Sequence, residues 1–192
     1  ADLGPTVTIV SLAGAAWAAG ALSAAIRQAL NQAFEVTSRR PMLRAKLVDF
    51  VLLPVIALPL LGGIVLSGTW RFFQQELDDR WGILDGRFAW TWEVGAFLIP
   101  LTLSFLAFLT LYWLAPNREQ RVRYIWPGAL FAALAFEGLK SAFGFYIETF
   151  GNYSVYGSLG SVIVLLFWVY VTANIMIFGA EIANEVPHVL YR

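Results

Sequence analysis

The chain reads as an all-α, polytopic transmembrane helix bundle, and three observations carry that reading. Of 192 residues, 59% are hydrophobic and 14% charged, against about 25% charge in an ordinary soluble domain. Five stretches hold long, predominantly apolar runs; about 20 such residues, rising 1.5 Å each, cross a hydrocarbon core about 30 Å thick. None of them alternates apolar and polar residues as a barrel strand does.

The first stretch, 6–27, is TVTIVSLAGAAWAAGALSAAIR. The second, 47–68, carries Pro54 and Pro59, and the third, 94–115, carries Pro100. A proline inside a helix removes a donor and frees a carbonyl, so these two helices are expected to bend. The fourth, 125–147, holds both Glu137 and Lys140. The fifth, 159–183, is LGSVIVLLFWVYVTANIMIFGAEIA. All five form one integral-membrane domain over 1–192, with the lipid bilayer as its first partner. Residue 1 is Ala, and Asp2 is the only charge before Arg27. That start does not look like a signal peptide, and an upstream helix is expected in the complete protein, making about six spans.

Basic residues set the orientation. The loop after the first span and its flank hold Arg27, Arg39, Arg40, Arg44 and Lys46; the loop before the fourth holds Arg118, Arg121 and Arg123. With Arg192 they make nine, against Arg71, Arg80 and Arg87 on the opposite side. The positive-inside rule then puts the C-terminus in the cytoplasm. Trp70, Trp81, Trp90 and Trp92 crowd the outer boundary, and 71–92 is expected to lie along it. Tyr112, Trp113, Tyr124 and Trp126 bracket the inner loop, as interfacial aromatics do.

Small residues four apart give a helix a face on which a neighbour can approach closely. Gly14 with Ala18, Ala16 with Gly20 and Gly20 with Ala24 do so in the first span, and Gly128 with Ala132 in the fourth. Packing within the chain is the expected use.

Ionisable groups inside a membrane are costly and face an interior or a cavity. Glu137 and Lys140, three apart, share a helix face and are expected to pair. The pair reads either as structural glue or as a substrate site. Glu181 closes the fifth span where the helix dipole disfavours a carboxylate, so Arg39, Arg40 or Arg44 is expected to meet it. Asp49 is expected to pair with Lys46 or the same arginines. Asn174 is expected to hydrogen-bond across helices.

Several chemistries are excluded or poorly supported. There is no cysteine and only His188, so thiolate and multi-histidine metal sites are out. Thirteen basic residues balance thirteen acidic ones, giving no electrostatic footprint for nucleic acid. Walker, GxGxxG, GxSxG and HExxH motifs are absent. No catalytic residue, metal or cofactor is expected.

The C-terminal half resembles the YihY/BrkB family of bacterial inner-membrane proteins. The resemblance rests on GALFAALAFEGLKSAFGFYI at 128–147 and YGSLGSVIVLLFWVYVTANIMIFGAEIANE at 156–185. Tyr156-Gly157, Trp168 with Tyr170, and Gly179-Ala180-Glu181 are its most specific parts, with Asn31 and Pro116-Asn117 in support. The resemblance implies about six helices and the bacterial cytoplasmic membrane, and it implies no settled activity. Members have carried the label ribonuclease BN, which these residues do not support. Two functions are expected to compete. One is a permease for a small solute or ion using Glu137, Lys140 and Asn174 beside the proline-bent helices. The other is a non-transporting envelope scaffold. The first exposes the charged pair to water in some conformation; the second keeps it dry.

Overall fold

A computed structural model describes residues 4–37, 46–48, 50–52, 54, 89–118, 120–150 and 157–190. Every regular element among them is helical. The long helices are α1 (Gly4–Ala33), α2 (Ala89–Leu114), α3 (Val122–Phe150) and α4 (Gly157–Leu190). Residues 46–48, 50–52 and Pro54 are helical at the start of the second expected span; the rest of that span, with Pro59, lies outside the described residues. Arg39, Arg40, Arg44 and Asp49 also lie outside them, as does 71–88. Trp90 and Trp92 lie in the first turn of α2.

Among the described residues, four helical stretches are long and apolar enough to cross a membrane: Val7–Ala33, Phe97–Leu114, Val122–Tyr146 and Val162–Val186. The helices outrun the expected spans at most ends; α4, at 34 residues, is about 51 Å long at 1.5 Å per residue. Helical hydrogen bonding continues where the apolar run stops, because water and headgroups tolerate a helix as well as lipid does. The α2 helix runs through Pro100 and α3 through Pro127 without a break. Pro127, five residues into α3, is a proline position the hydropathy reading passed over.

The packing is arranged for lipid. Large apolar side chains face outward, among them Val10, Trp17, Phe97, Ile163, Leu166 and Phe167. The buried positions are mostly small: Ala115, Ala129, Ala132, Ala133, Ala180 and Ala183. Lipid tails are as apolar as leucine, so helices associate by close backbone approach rather than by hiding leucine from water. Leu30, Phe34, Leu52, Tyr112, Ile125 and Met176 complete a core at one end of the bundle. There α1, α2 and α4 finish and α3 begins. That end is therefore shared by the loop after α1, the loop between α2 and α3 and the end of α4, which the basic residues also grouped on one side.

Two close contacts fix this core. A Cβ on Gly128 would overlap the Gly179 carbonyl oxygen and stand 2.7 Å from the Ala183 Cβ. A Cβ on Gly179 would overlap the Tyr112 hydroxyl and stand 2.8 Å from the Ala132 Cβ. Only glycine lets α3 and α4 cross at this distance. Packing within the chain is thus the use of Gly128 and Ala132. The first span behaves otherwise. Nothing among the described residues comes within 4 Å of a Cβ built on Gly14 or Gly20, so among those residues α1 packs through its last turns.

Helix α1 stops in a Schellman motif. The Val36 amide donates to the Asn31 carbonyl at 2.8 Å and the Glu35 amide to that of Gln32 at 3.1 Å. Glu35 takes the left-handed position that glycine usually occupies, with φ of 52°. Asn31 Oδ1 then accepts from the Asn117 amide at 2.7 Å, tying the end of α1 to the α2–α3 loop.

Candidate functional site

Helices α2 and α3 form an antiparallel hairpin about the loop near residue 120. Ser104 precedes that point by 16 residues and Glu137 follows it by 17, so the two face one another halfway along. The buried Ser104 hydroxyl donates to Glu137 Oε1 at 2.6 Å. The Lys140 ammonium reaches the same oxygen at 2.6 Å. The expected pair is therefore present, anchored from a second helix by a serine that the sequence reading did not single out. Glu137 keeps 12% of its side chain exposed and Lys140 33%.

Aromatic rings complete the surroundings. Lys140 Nζ lies 5.3 Å from the centroid of the Phe136 ring, inside the range of a cation–π contact. Phe136 packs on Trp168 of α4 at 5.9 Å, and Trp168 on Phe143 at 4.7 Å. Phe136, Lys140 and Phe143 share one face of α3 because their spacings of four and seven return to the same side of a helix. Ser104, Glu137 and Lys140 thus form a charged, hydroxyl-lined centre against an aromatic wall.

Other expected residues fall elsewhere. The Asn174 side chain donates to the Tyr170 carbonyl at 2.7 Å on its own helix. That corrects the expectation of a cross-helix bond: a carboxamide one turn above a carbonyl satisfies it locally. Tyr112 is no interfacial aromatic. It is fully buried, and its hydroxyl donates to the Met176 carbonyl at 2.7 Å. The missing Gly179 side chain makes room for it. Trp113 and Trp126, by contrast, are about half exposed, as belt residues should be. The expected partners of Glu181 lie outside the described residues, as does Asp49 itself.

A second feature was not anticipated. Between the end of α1 and the end of α4 lies a cavity of about 490 Å³, lined in part by Gln32, Glu35, Glu181, Asn184 and Glu185. Three carboxylates and two carboxamides thus contribute its polar lining. The described residues contain no group of three or more His, Cys, Asp or Glu able to hold a metal ion. Glu181 lies 13 residues beyond Trp168, which places the cavity about 20 Å from the Glu137 level along the bundle.

Long apolar helices with small residues inside and large ones outside define a multi-pass membrane protein. Comparison with known families narrows this further: the profile of the virulence factor BrkB family matches residues 3–191, and the chain belongs to that family. A protein of Bacillus subtilis (strain 168) named ribonuclease-like protein YfkH is 31% identical over 175 residues, covering 91% of this chain and 63% of that protein. A UPF0761 membrane protein of Klebsiella pneumoniae (strain 342) is 36% identical over 159 residues, 82% of this chain and 52% of that protein. Another, from Azoarcus sp. (strain BH72), is 29% identical over 187 residues, 97% of this chain and 44% of its own length. The chain thus spans between 44% and 63% of the length of these relatives. No solved structure matches it.

Proposed function

We propose that the protein is a permease of the bacterial cytoplasmic membrane, moving a small solute or ion past the Glu137–Lys140 pair. One observation carries the reading. A carboxylate halfway along a spanning helix is held from a second helix by Ser104, while its own cation keeps a third of its side chain exposed. Structural glue needs no such asymmetry; a site that must release one partner does. In this reading the nine clustered basic residues hold the α4 end on the cytoplasmic side, about six spans make up the complete protein, and it is no enzyme. The ribonuclease label of the Bacillus relative is not carried over.

A second reading is a non-transporting envelope scaffold, favoured by the small-residue stripe of α1 with no neighbour among the described residues. Two measurements separate them. The chain has no cysteine, so single cysteines at positions 118 and 149 report sidedness with a membrane-impermeant maleimide; the permease reading expects 118 inside. Proteoliposomes are then screened for solute uptake. Uptake lost in Glu137→Gln, with the variant folded, supports the permease. No uptake of any cation, anion or amine across the screen, together with crosslinking through cysteines placed at 14 or 18, supports the scaffold.

A further inference from the structure

We infer that the Glu137 centre is an alkylammonium site whose resting occupant is the protein's own Lys140, and that the cargo carries a small alkylammonium group. The inference rests on the permease reading and names its substrate class. A lysine side chain is itself a butylammonium. It sits with its nitrogen 2.6 Å from a carboxylate oxygen and 5.3 Å above an aromatic ring. Carboxylate, hydroxyl and ring faces together are the groups that recognise an alkylated ammonium, so Lys140 shows what the site accepts.

The two partners are held differently. Glu137 is fixed by Ser104 from α2, whereas Lys140 is on a flexible four-carbon stem and lies partly in the open. Competition therefore displaces the lysine and leaves the carboxylate in place. A cargo ammonium takes the position beside Glu137 Oε1 and Phe136 while Lys140 swings outward. When the lysine returns it neutralises Glu137 again, so the carboxylate is not left buried without a cation.

The test uses Lys140→Ala in nanodiscs of phosphatidylglycerol, which contributes no amine. Removing the tethered competitor, whose effective concentration is on the order of millimolar, is expected to tighten binding of n-propyl- or n-butylammonium at least about tenfold over the unaltered protein. Binding should vanish in Lys140→Ala/Glu137→Gln, and n-butanol should not bind. A second measurement leaves the chain unaltered, in case Lys140→Ala does not fold. Tetramethylammonium should accelerate reaction of Lys140 with an amine-reactive reagent, read by peptide mass spectrometry, while sodium at equal ionic strength should not. Acceleration by phosphatidylethanolamine discs without soluble probe assigns the ammonium to a lipid headgroup; acceleration by soluble probe in phosphatidylglycerol alone assigns it to a free amine. No binding to folded Lys140→Ala and no change in Lys140 labelling would overturn the site. Uptake of an anion, dependent on Glu137, would overturn the cation class and keep the permease. Alkylammonium binding without uptake by proteoliposomes would keep the site and overturn the permease.

Discussion

Replacing Gly179 by alanine tests the account of how α3 and α4 meet. The added Cβ overlaps the Tyr112 hydroxyl, lies 2.8 Å from the Ala132 Cβ and 2.9 Å from the Gly128 carbonyl oxygen. Carbon atoms settle at about 3.5–4.0 Å, so the helices must part by about 1 Å at this crossing. Two of the three obstacles are a backbone oxygen and a Cβ, neither of which can rotate away. The third is the hydroxyl bonded to the Met176 carbonyl, and moving it forfeits about 1 kcal/mol of hydrogen bonding. Overpacking adds about 1–3 kcal/mol, giving a total of about 2–4 kcal/mol. Gly14→Ala is the matched control: none of the described residues stands within 4 Å, and alanine gains up to about 1 kcal/mol of helix propensity. Thermal unfolding in one detergent, with both variants beside the parent, decides. A loss below about 0.5 kcal/mol in Gly179→Ala, or an equal loss in Gly14→Ala, would refute the contact.

Three more outcomes follow from the geometry. Glu137→Gln strands Lys140; a fully buried pair broken in this way costs about 3–5 kcal/mol, and the one-third exposure of the lysine reduces this to about 2 kcal/mol. Glu137→Gln/Lys140→Met should fall within about 1 kcal/mol of the parent, so a double-mutant cycle in denaturant that shows additivity would remove the pair from the argument. Tyr112→Phe keeps the ring against Phe34 and Phe108, both at 6.1 Å, but leaves the Met176 carbonyl without its donor. The expected loss is about 1–2 kcal/mol, read as a lower unfolding midpoint. Glu35→Gly relieves a left-handed backbone and should stabilise by up to about 1 kcal/mol; a drop in midpoint would mean that the glutamate makes a contact worth more than its strain.

How much of this was legible depended on the range of the interaction. The Glu137–Lys140 pair was readable because helical periodicity alone brings residues three apart together. Gly128 and Ala132 were readable as a packing face for the same reason, though not that Gly179 would meet them. Ser104 was within reach of the sequence, since folding α2 on α3 about residue 120 sets it opposite Glu137, but a lone serine in an apolar run draws no attention without that register. Tyr112 was misplaced at the interface because its burial depends on a side chain that Gly179, 67 positions later, does not have. The stripe on α1 shows the converse: small residues at helical spacing permit close approach, and none of the described residues takes it up at Gly14 or Gly20. The acidic cavity was invisible, because it joins Glu35 to carboxylates near the other end of the chain through a left-handed turn that no glycine announced.

The Asn31–Asn117 bond has a consequence for how the chain is made. Its two residues are 86 positions apart, and a ribosome adding about 5–20 residues each second needs about 4–17 s to deliver the second after the first. Glu181, facing Glu35 across the cavity, arrives later still. During synthesis α1 therefore waits in the bilayer until Tyr112 and Asn117 reach Phe34 and Asn31, and the closing turns of α4 then complete the packing at its end. A ribosome that stalls after α3 leaves that end open. The docking of α1 thereby records that translation has run to the end of α4, and a membrane protease that samples exposed helix ends could tell a finished molecule from an unfinished one.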